Sequence, residues 1–95
     1  MAAFVIVDIQ VTDATRYETY KAQAEATVTA YGGRYLVRGG AARVLEGDWQ
    51  PGRMVVLEFP DMERALAWWN SEEYRAPKAL RHATARSKMM VLDGV

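Results

Sequence analysis

The order in which two hydrophobic periods follow one another along the chain is the strongest constraint on its fold. Residues 4–11 alternate apolar and mixed positions with a period of two, which is typical of a strand with unequal faces. Residues 13–31 then place apolar side chains every three or four positions, which predicts a helix. Asp13 can cap this helix, and Gly32-Gly33 can end it. The chain therefore begins with a β–α unit.

Two more strands are predicted after this helix. The first covers Arg34–Arg38 and turns at Gly39-Gly40 into a hairpin-like extension over residues 42–46. A loop over residues 47–52 follows. Residues 54–59 alternate again and form the main third strand, which Pro60 ends because proline cannot donate to a ladder.

The last part of the chain predicts helical segments and a closing strand. Asp61 can cap a second helix with Met62, Ala65, Leu66 and Trp69 on its inner face, which leaves Trp68 partly exposed. A break at residues 71–73 precedes a short third helix that runs to about residue 83, with Pro77 in its first turn. Residues 88–93 form the last strand. The order β-α-β-β-α-β predicts a ferredoxin-like α+β fold with an antiparallel sheet.

Length and charge narrow the class of protein. With 95 residues the chain is too short for two cores, so we expect one ferredoxin-like α+β domain over residues 1–95. Twelve basic and twelve acidic side chains cancel, which leaves no field to attract nucleic acid or an anionic membrane. The absence of cysteine excludes thiol chemistry, and the N-terminal residues read as a strand instead of a signal or a membrane span. We expect a cytoplasmic protein without nucleic-acid or membrane partners.

The second face of the predicted sheet is too apolar for a monomer. If one set of alternating strand residues meets the helices, the other set is left uncovered: Phe4, Ile6, Met54, Val56, Met90 and Leu92. Burial of each such side chain stabilises by about 1.5–3 kcal/mol, which together exceeds the roughly 4–15 kcal/mol that association costs. The sequence therefore predicts a homodimer that joins sheet to sheet.

Two carboxylates, Asp8 and Glu58, fall on this apolar second face. They either form ion pairs that set the dimer register or take a raised pKa that suits proton transfer. Possible partners are Arg34, Arg38, Arg81 and Lys88. The single histidine, His82, lacks further metal ligands at suitable spacing, so no metal site is predicted. It serves either as solvated helix polarity or as an acid–base group.

Several linked stretches resemble one family from end to end. They are Tyr17-Glu18-Thr19-Tyr20, residues 31–40 (YGGRYLVRGG), residues 45–49 (LEGDW), residues 56–61 (VLEFPD) and residues 67–74 (AWWNSEEY). Together they resemble the domain-of-unknown-function family 1330 of the dimeric α+β barrel superfamily. The resemblance implies two four-stranded sheets that meet in a dimer to form a barrel with the helices outside. Superfamily relatives include cofactor-independent monooxygenases, isomerases, haem-degrading enzymes and stress-responsive barrels, so it implies a fold and not a reaction.

The leading hypothesis is a homodimer that binds a small anionic or aromatic organic molecule without a cofactor. Arg38 and Arg81 are its predicted charge partners, and Tyr35, Trp69 and Tyr74 its predicted walls. The alternatives are a cofactor-independent enzyme of monooxygenase or isomerase type, with Glu58 or His82 as catalytic base, and a non-catalytic assembly or stress-responsive dimer. The sequence leaves open whether the protein is an enzyme.

Overall fold

The computed structural model contains four strands and three helices and describes all residues from Met1 to Val95. Their bounds are β1 Ala3–Val11, α1 Ala14–Ala30, β2 Arg34–Arg38, β3 Arg53–Phe59, α2 Met62–Trp69, α3 Glu72–Thr84 and β4 Ala85–Asp93. The strands form one sheet in the order β2-β3-β1-β4, and every neighbouring pair is antiparallel. The helices cover one face of this sheet. The predicted ferredoxin-like α+β fold is therefore confirmed.

Helix caps explain where α1 and α2 begin. The Asp13 carboxylate accepts a hydrogen bond from the backbone N–H of Arg16 at 3.2 Å, and Asp61 accepts one from Arg64 at 2.7 Å. Helix α1 ends at Ala30, and Gly32 turns the chain away from it with a φ of +77°, a left-handed conformation that glycine adopts without strain. Both predicted caps and this helix end are confirmed.

Helix α3 and the segment before β3 differ from the prediction. Ser71 caps α3 by accepting from the Tyr74 N–H at 3.1 Å, so the helix begins at Glu72 and Pro77 lies inside it, not in its first turn. Glu72 and Glu73 stand in the first turn, where the helix dipole favours acidic side chains. The hairpin-like extension predicted over residues 42–46 is wrong. These residues form an exposed loop, because no further strand pairs with the free edge of β2.

One hydrophobic core of 15 buried residues lies between the helices and the sheet. The sequence predicted that one set of alternating strand residues meets the helices. This set lies entirely in the core: Val5, Val7, Ile9, Val55, Leu57 and Phe59. Trp68, predicted to be partly exposed, is instead 1 % exposed, while Leu66 is exposed. The Trp68 ring lies 5.3 Å from that of Phe59 and 4.2 Å from that of Tyr74, and its indole N–H donates to the Thr27 hydroxyl at 3.0 Å. This buried acceptor lets the indole enter the core.

The opposite face of the sheet, here called the open face, carries the predicted second apolar set. The register places Ile6 of β1 between Val56 of β3 and Met90 of β4, which makes an apolar row across three strands. Met90 is 58 % exposed and Leu92 is 45 % exposed. None of the helices is both long and apolar enough to span a membrane. The folded chain therefore leaves an apolar face of its sheet uncovered.

Candidate functional site

A cluster of tyrosines and arginines lies between the helices and one end of the sheet. Helix α1 contributes tyrosines one turn apart, and α3 contributes a tyrosine and an arginine two turns apart. The strands add side chains from their helix-covered face. We call this group the tyrosine–arginine cluster: Tyr17, Tyr20, Tyr35, Arg38, Arg53, Tyr74 and Arg81.

Arg81 is the most unusual member, because its side chain is charged and only 2 % exposed. Its Nε donates to the Tyr74 hydroxyl at 3.3 Å, and its Nη1 donates to the hydroxyl of Ser87. Its Nη2 is buried and has no partner. None of the protein's ion pairs involves Arg81. The guanidinium is therefore a buried positive charge without a counter-ion.

Arg53 repeats this arrangement at the start of β3. It follows the alternation of Val55 and Leu57 and so points to the helix-covered side, and its Nε is also buried without a partner. Its guanidinium packs over Gly39, where any Cβ would collide with it and where φ is +73°. Glycine at position 39 therefore makes room for the Arg53 side chain. Arg53 was not among the predicted site residues, although a charged residue in phase with buried strand residues is a usable signal.

The tyrosines of the cluster are held as hydrogen-bond donors. The Tyr20 and Tyr74 hydroxyls share a hydrogen bond of 2.8 Å. Burial raises the pKa of Tyr20, Tyr17 and Tyr35, so these phenols stay protonated at neutral pH. For Tyr17, Arg53 and then Arg81 oppose this rise. Neutral hydroxyls beside guanidinium groups form a surface that donates hydrogen bonds to an anion.

The structure brings the predicted ligand-binding residues to this side of the sheet. A bulge between Tyr35 and Val37 returns Arg38 to the helix-covered face, opposite Val55. The Arg38 guanidinium lies 4.3 Å from the centre of the Tyr35 ring and donates to Glu25 at 3.3 Å. The Trp69 ring lies 6.1 Å from the Tyr74 ring, and 5.9 Å from the Arg81 guanidinium carbon.

An apolar groove of about 270 Å³ lies beside Trp69, between α2 and the edge strand β4. All eight side chains that line it are hydrophobic: Val5, Ala65, Leu66, Trp68, Trp69, Met89, Met90 and Val91. Because Trp69 lines the groove and also lies near Arg81, its ring stands between an apolar surface and the tyrosine–arginine cluster. This groove was not predicted from the sequence, because it arises where the short helix α2 does not cover the edge of the sheet.

The two predicted catalytic residues lie elsewhere. Glu58 is on the open face, where it accepts a hydrogen bond from Arg34 Nε at 2.6 Å. His82 is an exposed residue of α3, and partial burial, with Arg81 and Lys78 nearby, lowers its pKa. The structure therefore does not bring Glu58 together with Arg38 and Arg81. No group of three or more His, Cys, Asp or Glu side chains is arranged to hold a metal ion.

Asp8 ties the long loop between β2 and β3 to the other end of the open face. Its carboxylate accepts from the Trp49 indole N–H at 2.9 Å and from the Gly52 N–H at 2.8 Å. These two bonds, Trp49 first, lower the pKa of Asp8, and Lys88 adds to the effect. Asp8 is thus satisfied by loop donors and its pKa is lowered, whereas the sequence suggested either an ion pair with a basic side chain or a raised pKa.

The antiparallel sheet, the helices on one face and the buried donor cluster define a ferredoxin-like α+β protein with a candidate anion site. The sequence matches the family described as Domain of unknown function (DUF1330) over residues 2–95, so the chain belongs to that family. No curated protein matches the sequence.

Solved structures share the fold at low sequence identity. A protein of unknown function from Rhodopseudomonas palustris is 16% identical, with a TM-score of 0.80 over 99% of this chain and 82% of its own. A dimeric ferredoxin-like protein of unknown function from Jannaschia is 13% identical, with a TM-score of 0.67 over 99% and 100%. SnoaB, a cofactor-independent oxygenase from Streptomyces nogalater, is 11% identical, with a TM-score of 0.65 over 99% and 93%.

Proposed function

We propose that the protein is a homodimer that binds a small organic anion, without a cofactor, in the tyrosine–arginine cluster of each chain. In this proposal Arg81 is the main charge partner of the ligand, and Arg38 is a second one at the outer edge of the cluster. Tyr35, Trp69 and Tyr74 form the walls of the site. The observation that carries the proposal is the buried Arg81 guanidinium, which has a free Nη2 and no carboxylate partner.

A buried charge without a counter-ion is costly, because desolvation of an ion in a protein interior costs several kcal/mol. A bound anion would offset this cost. The planar guanidinium fork suits a carboxylate or a phosphate, and charge-assisted bonds to such groups are among the stronger hydrogen bonds. The Tyr20 and Tyr74 hydroxyls lie on the same network and can adjust which oxygen donates. The chemistry of the cluster supports an anionic ligand.

The surroundings of Arg81 support an organic ligand over an inorganic ion. The partly exposed ring of Trp69 lies 5.9 Å from the Arg81 guanidinium carbon and offers an apolar surface beside this charge. The groove that Trp69 also lines, at about 270 Å³, is close to the lower end of the roughly 300–1,000 Å³ range of small-molecule sites. An aromatic or aliphatic acid would place its charge and its apolar body on these two kinds of surface.

The open face supports the homodimer. Its central row, Ile6 with Val56 and Met90, is apolar, and the ion pair of Glu58 with Arg34 lies in the neighbouring row, beside Phe4. One of the proteins that share this fold is described as dimeric. Contact between two open faces would bury Met90 and Leu92, which are two of the most exposed apolar strand residues. Light scattering should give the mass of a dimer, and a monodisperse monomer at micromolar concentration would contradict the proposal.

Calorimetric titration with benzoate tests the anion site, with Arg81→Met as the decisive variant. The wild type should bind benzoate, and at about 100 times the Kd the ligand should stabilise it by roughly 2.7 kcal/mol. The Arg81→Met variant should lose binding, whereas Arg86→Met, an exposed arginine on the same chain segment, should retain it. Equal binding by Arg81→Met and the wild type would contradict the proposal that Arg81 binds the anion. Mass spectrometry of molecules released from the purified protein would identify the natural ligand.

The second candidate function is a cofactor-independent enzyme. It is favoured by a donor cluster that can stabilise developing negative charge, and by a shared fold with a cofactor-independent oxygenase. Glu58 or His82 is the proposed base. His82 follows Arg81 on α3, and its lowered pKa keeps its imidazole neutral and able to accept a proton at pH 7, whereas Glu58 lies on the open face. Replacement of the true base by glutamine should abolish turnover of a discovered substrate while the dimer stays folded, so that Glu58→Gln and His82→Gln decide between the two. The third candidate, a non-catalytic assembly or stress-responsive dimer, predicts a very stable protein that releases no metabolite.

A further inference from the structure

The charges of the tyrosine–arginine cluster do not balance. Of its three arginines, only Arg38 has a carboxylate partner, Glu25. Arg53 and Arg81 form no ion pair with any acidic side chain. Each also has one buried N–H group without an acceptor, the Nε of Arg53 and the Nη2 of Arg81. The cluster therefore holds two uncompensated positive charges.

These two arginines are linked to one row of residues on the helix-covered face. The register places Arg53 of β3 and Ser87 of β4 on either side of Ile9 of β1, all in one row on the helix-covered face. Arg53 and Ser87 thus lie two strand spacings apart, or roughly 10 Å between backbones. Arg81 donates to Ser87 at one end of this row, and the side chain of Arg53 starts at the other end.

Tyr17 connects the surroundings of the two arginines. Its side chain is buried, and the positive charges of Arg53 and Arg81 both oppose the rise of its pKa, Arg53 more strongly. Its ring lies 5.4 Å from that of Tyr20, whose hydroxyl shares a hydrogen bond with Tyr74, the acceptor of Arg81 Nε. A ligand with one negative charge would leave one of the two arginines uncompensated.

We propose that the anion bound in the cluster is a dianion, an organic acid whose two acidic groups are held by Arg53 and Arg81, respectively. This inference rests on the proposed anion site and adds its substrate class. Arg81 supplies the primary contact because it is the more deeply buried, and Arg53 determines the preference for a second acidic group.

Matched pairs of ligands test the preference by titration calorimetry at pH 7.5. Propionate is compared with succinate, and benzoate with phthalate, so that each pair differs by one carboxylate. The wild type should bind the dianion of each pair at least about tenfold more tightly, since charge-assisted hydrogen bonds contribute strongly in a partly buried site. The preference should shrink as ionic strength rises, because salt screens the partly exposed Arg53.

The arginine variants separate the roles of the two side chains. Arg53→Met should reduce the preference for the dianion to about onefold. Arg53→Lys keeps the charge and should retain part of the preference. Arg81→Met should weaken both members of each pair, and Arg86→Met should change neither. Far-UV circular dichroism of each variant checks the fold.

Each outcome tests either the preference for a dianion or the anion site itself. Equal wild-type affinity for both members of a pair would overturn the dianion and leave the anion site standing. A preference that persists in Arg53→Met would also overturn it, because Arg53 would then not be the second charge partner. Failure of the wild type to bind any of the four acids would overturn the anion site itself.

Discussion

The two faces of the sheet are made by alternating residues of the same strands, yet they treat charge in opposite ways. On the open face, Glu58 pairs with Arg34, and Asp8 accepts two hydrogen bonds from the loop that precedes β3. On the covered face, Arg53 and Arg81 are short of acceptors.

An exposed face with satisfied charges and an apolar centre is typical of a surface that meets another protein. A covered face with unsatisfied charges is instead typical of a site that awaits a ligand. The difference therefore separates assembly from binding within one small chain. Four changes would test this separation, and we take them from the largest expected effect to the smallest.

Truncation of Trp68 should give the largest effect, because it removes the centre of the covered face. Trp68→Ala loses contacts with Phe59 and Tyr74 and a hydrogen bond to Thr27, and it leaves a cavity. We expect the free energy of unfolding to fall by about 3–5 kcal/mol in urea denaturation. The control is Trp49→Ala, since Trp49 is 52 % exposed and should cost far less. Similar losses for both variants would contradict the contrast between core and loop.

A charge at the centre of the open face should affect association and leave the fold of the single chain intact. Met90→Asp places a carboxylate on the row of Ile6 and Val56. We expect the dimer Kd to rise about 100-fold, or roughly 2.8 kcal/mol, as measured by analytical ultracentrifugation. Ala26→Asp, on the exposed side of α1, is the matched control and should leave the Kd unchanged. An unaltered Kd in Met90→Asp would show that the open face is not the interface.

Removal of the Arg81 charge should stabilise the ligand-free protein. Arg81→Met removes a buried cation without a counter-ion and keeps an unbranched side chain of similar length. We expect the free energy of unfolding to rise by about 1–2 kcal/mol in urea denaturation, while binding of benzoate is lost. A loss of stability of that size would instead indicate that the hydrogen bonds of Arg81 to Tyr74 and Ser87 are its main role.

The Asp8 contact should give the smallest effect and a characteristic pH dependence. Because hydrogen bonds from Trp49 and Gly52 lower the pKa of Asp8 in the folded state, its contribution to stability is present at neutral pH. That contribution should be lost as the pH falls from about 4 through the lowered value. Fluorescence should show the accompanying release of Trp49. Asp8→Asn should reduce stability slightly at pH 7 and remove this dependence; an unchanged acid transition would contradict the role of Asp8.

Strand alternation was a sound guide to the fold, because the period of two assigns each residue to one face without reference to its partners. It identified the core residues of β1 and β3 and the apolar open face. Helix α2 was harder, since its eight residues include adjacent tryptophans and two rotations bury one or the other. Only the position of Thr27, which offers an acceptor to the Trp68 indole, selects the rotation.

The candidate site followed a similar pattern. The sequence suggested Arg38, Arg81, Tyr35, Trp69 and Tyr74, and all of them lie on the helix-covered side. Arg53 was missed, because its importance depends on the approach of α3 and on the space that Gly39 leaves for it. Glu58 was proposed beside Arg38, but strand alternation and the bulge after Tyr35 place the two on opposite faces.

By itself, then, the sequence determined the order of strands and helices, the two faces of the sheet and the family, since these depend on local periods and linked motifs. Tertiary structure decided which charges are satisfied. That outcome depends on distances between segments that are far apart in the chain. Arg81 bonds to Ser87 near the C-terminal end, whereas the charge of Arg53 acts on Tyr17, which lies near the N-terminal end. A hydrogen bond needs atoms within about 3 Å, and only the folded chain sets such distances.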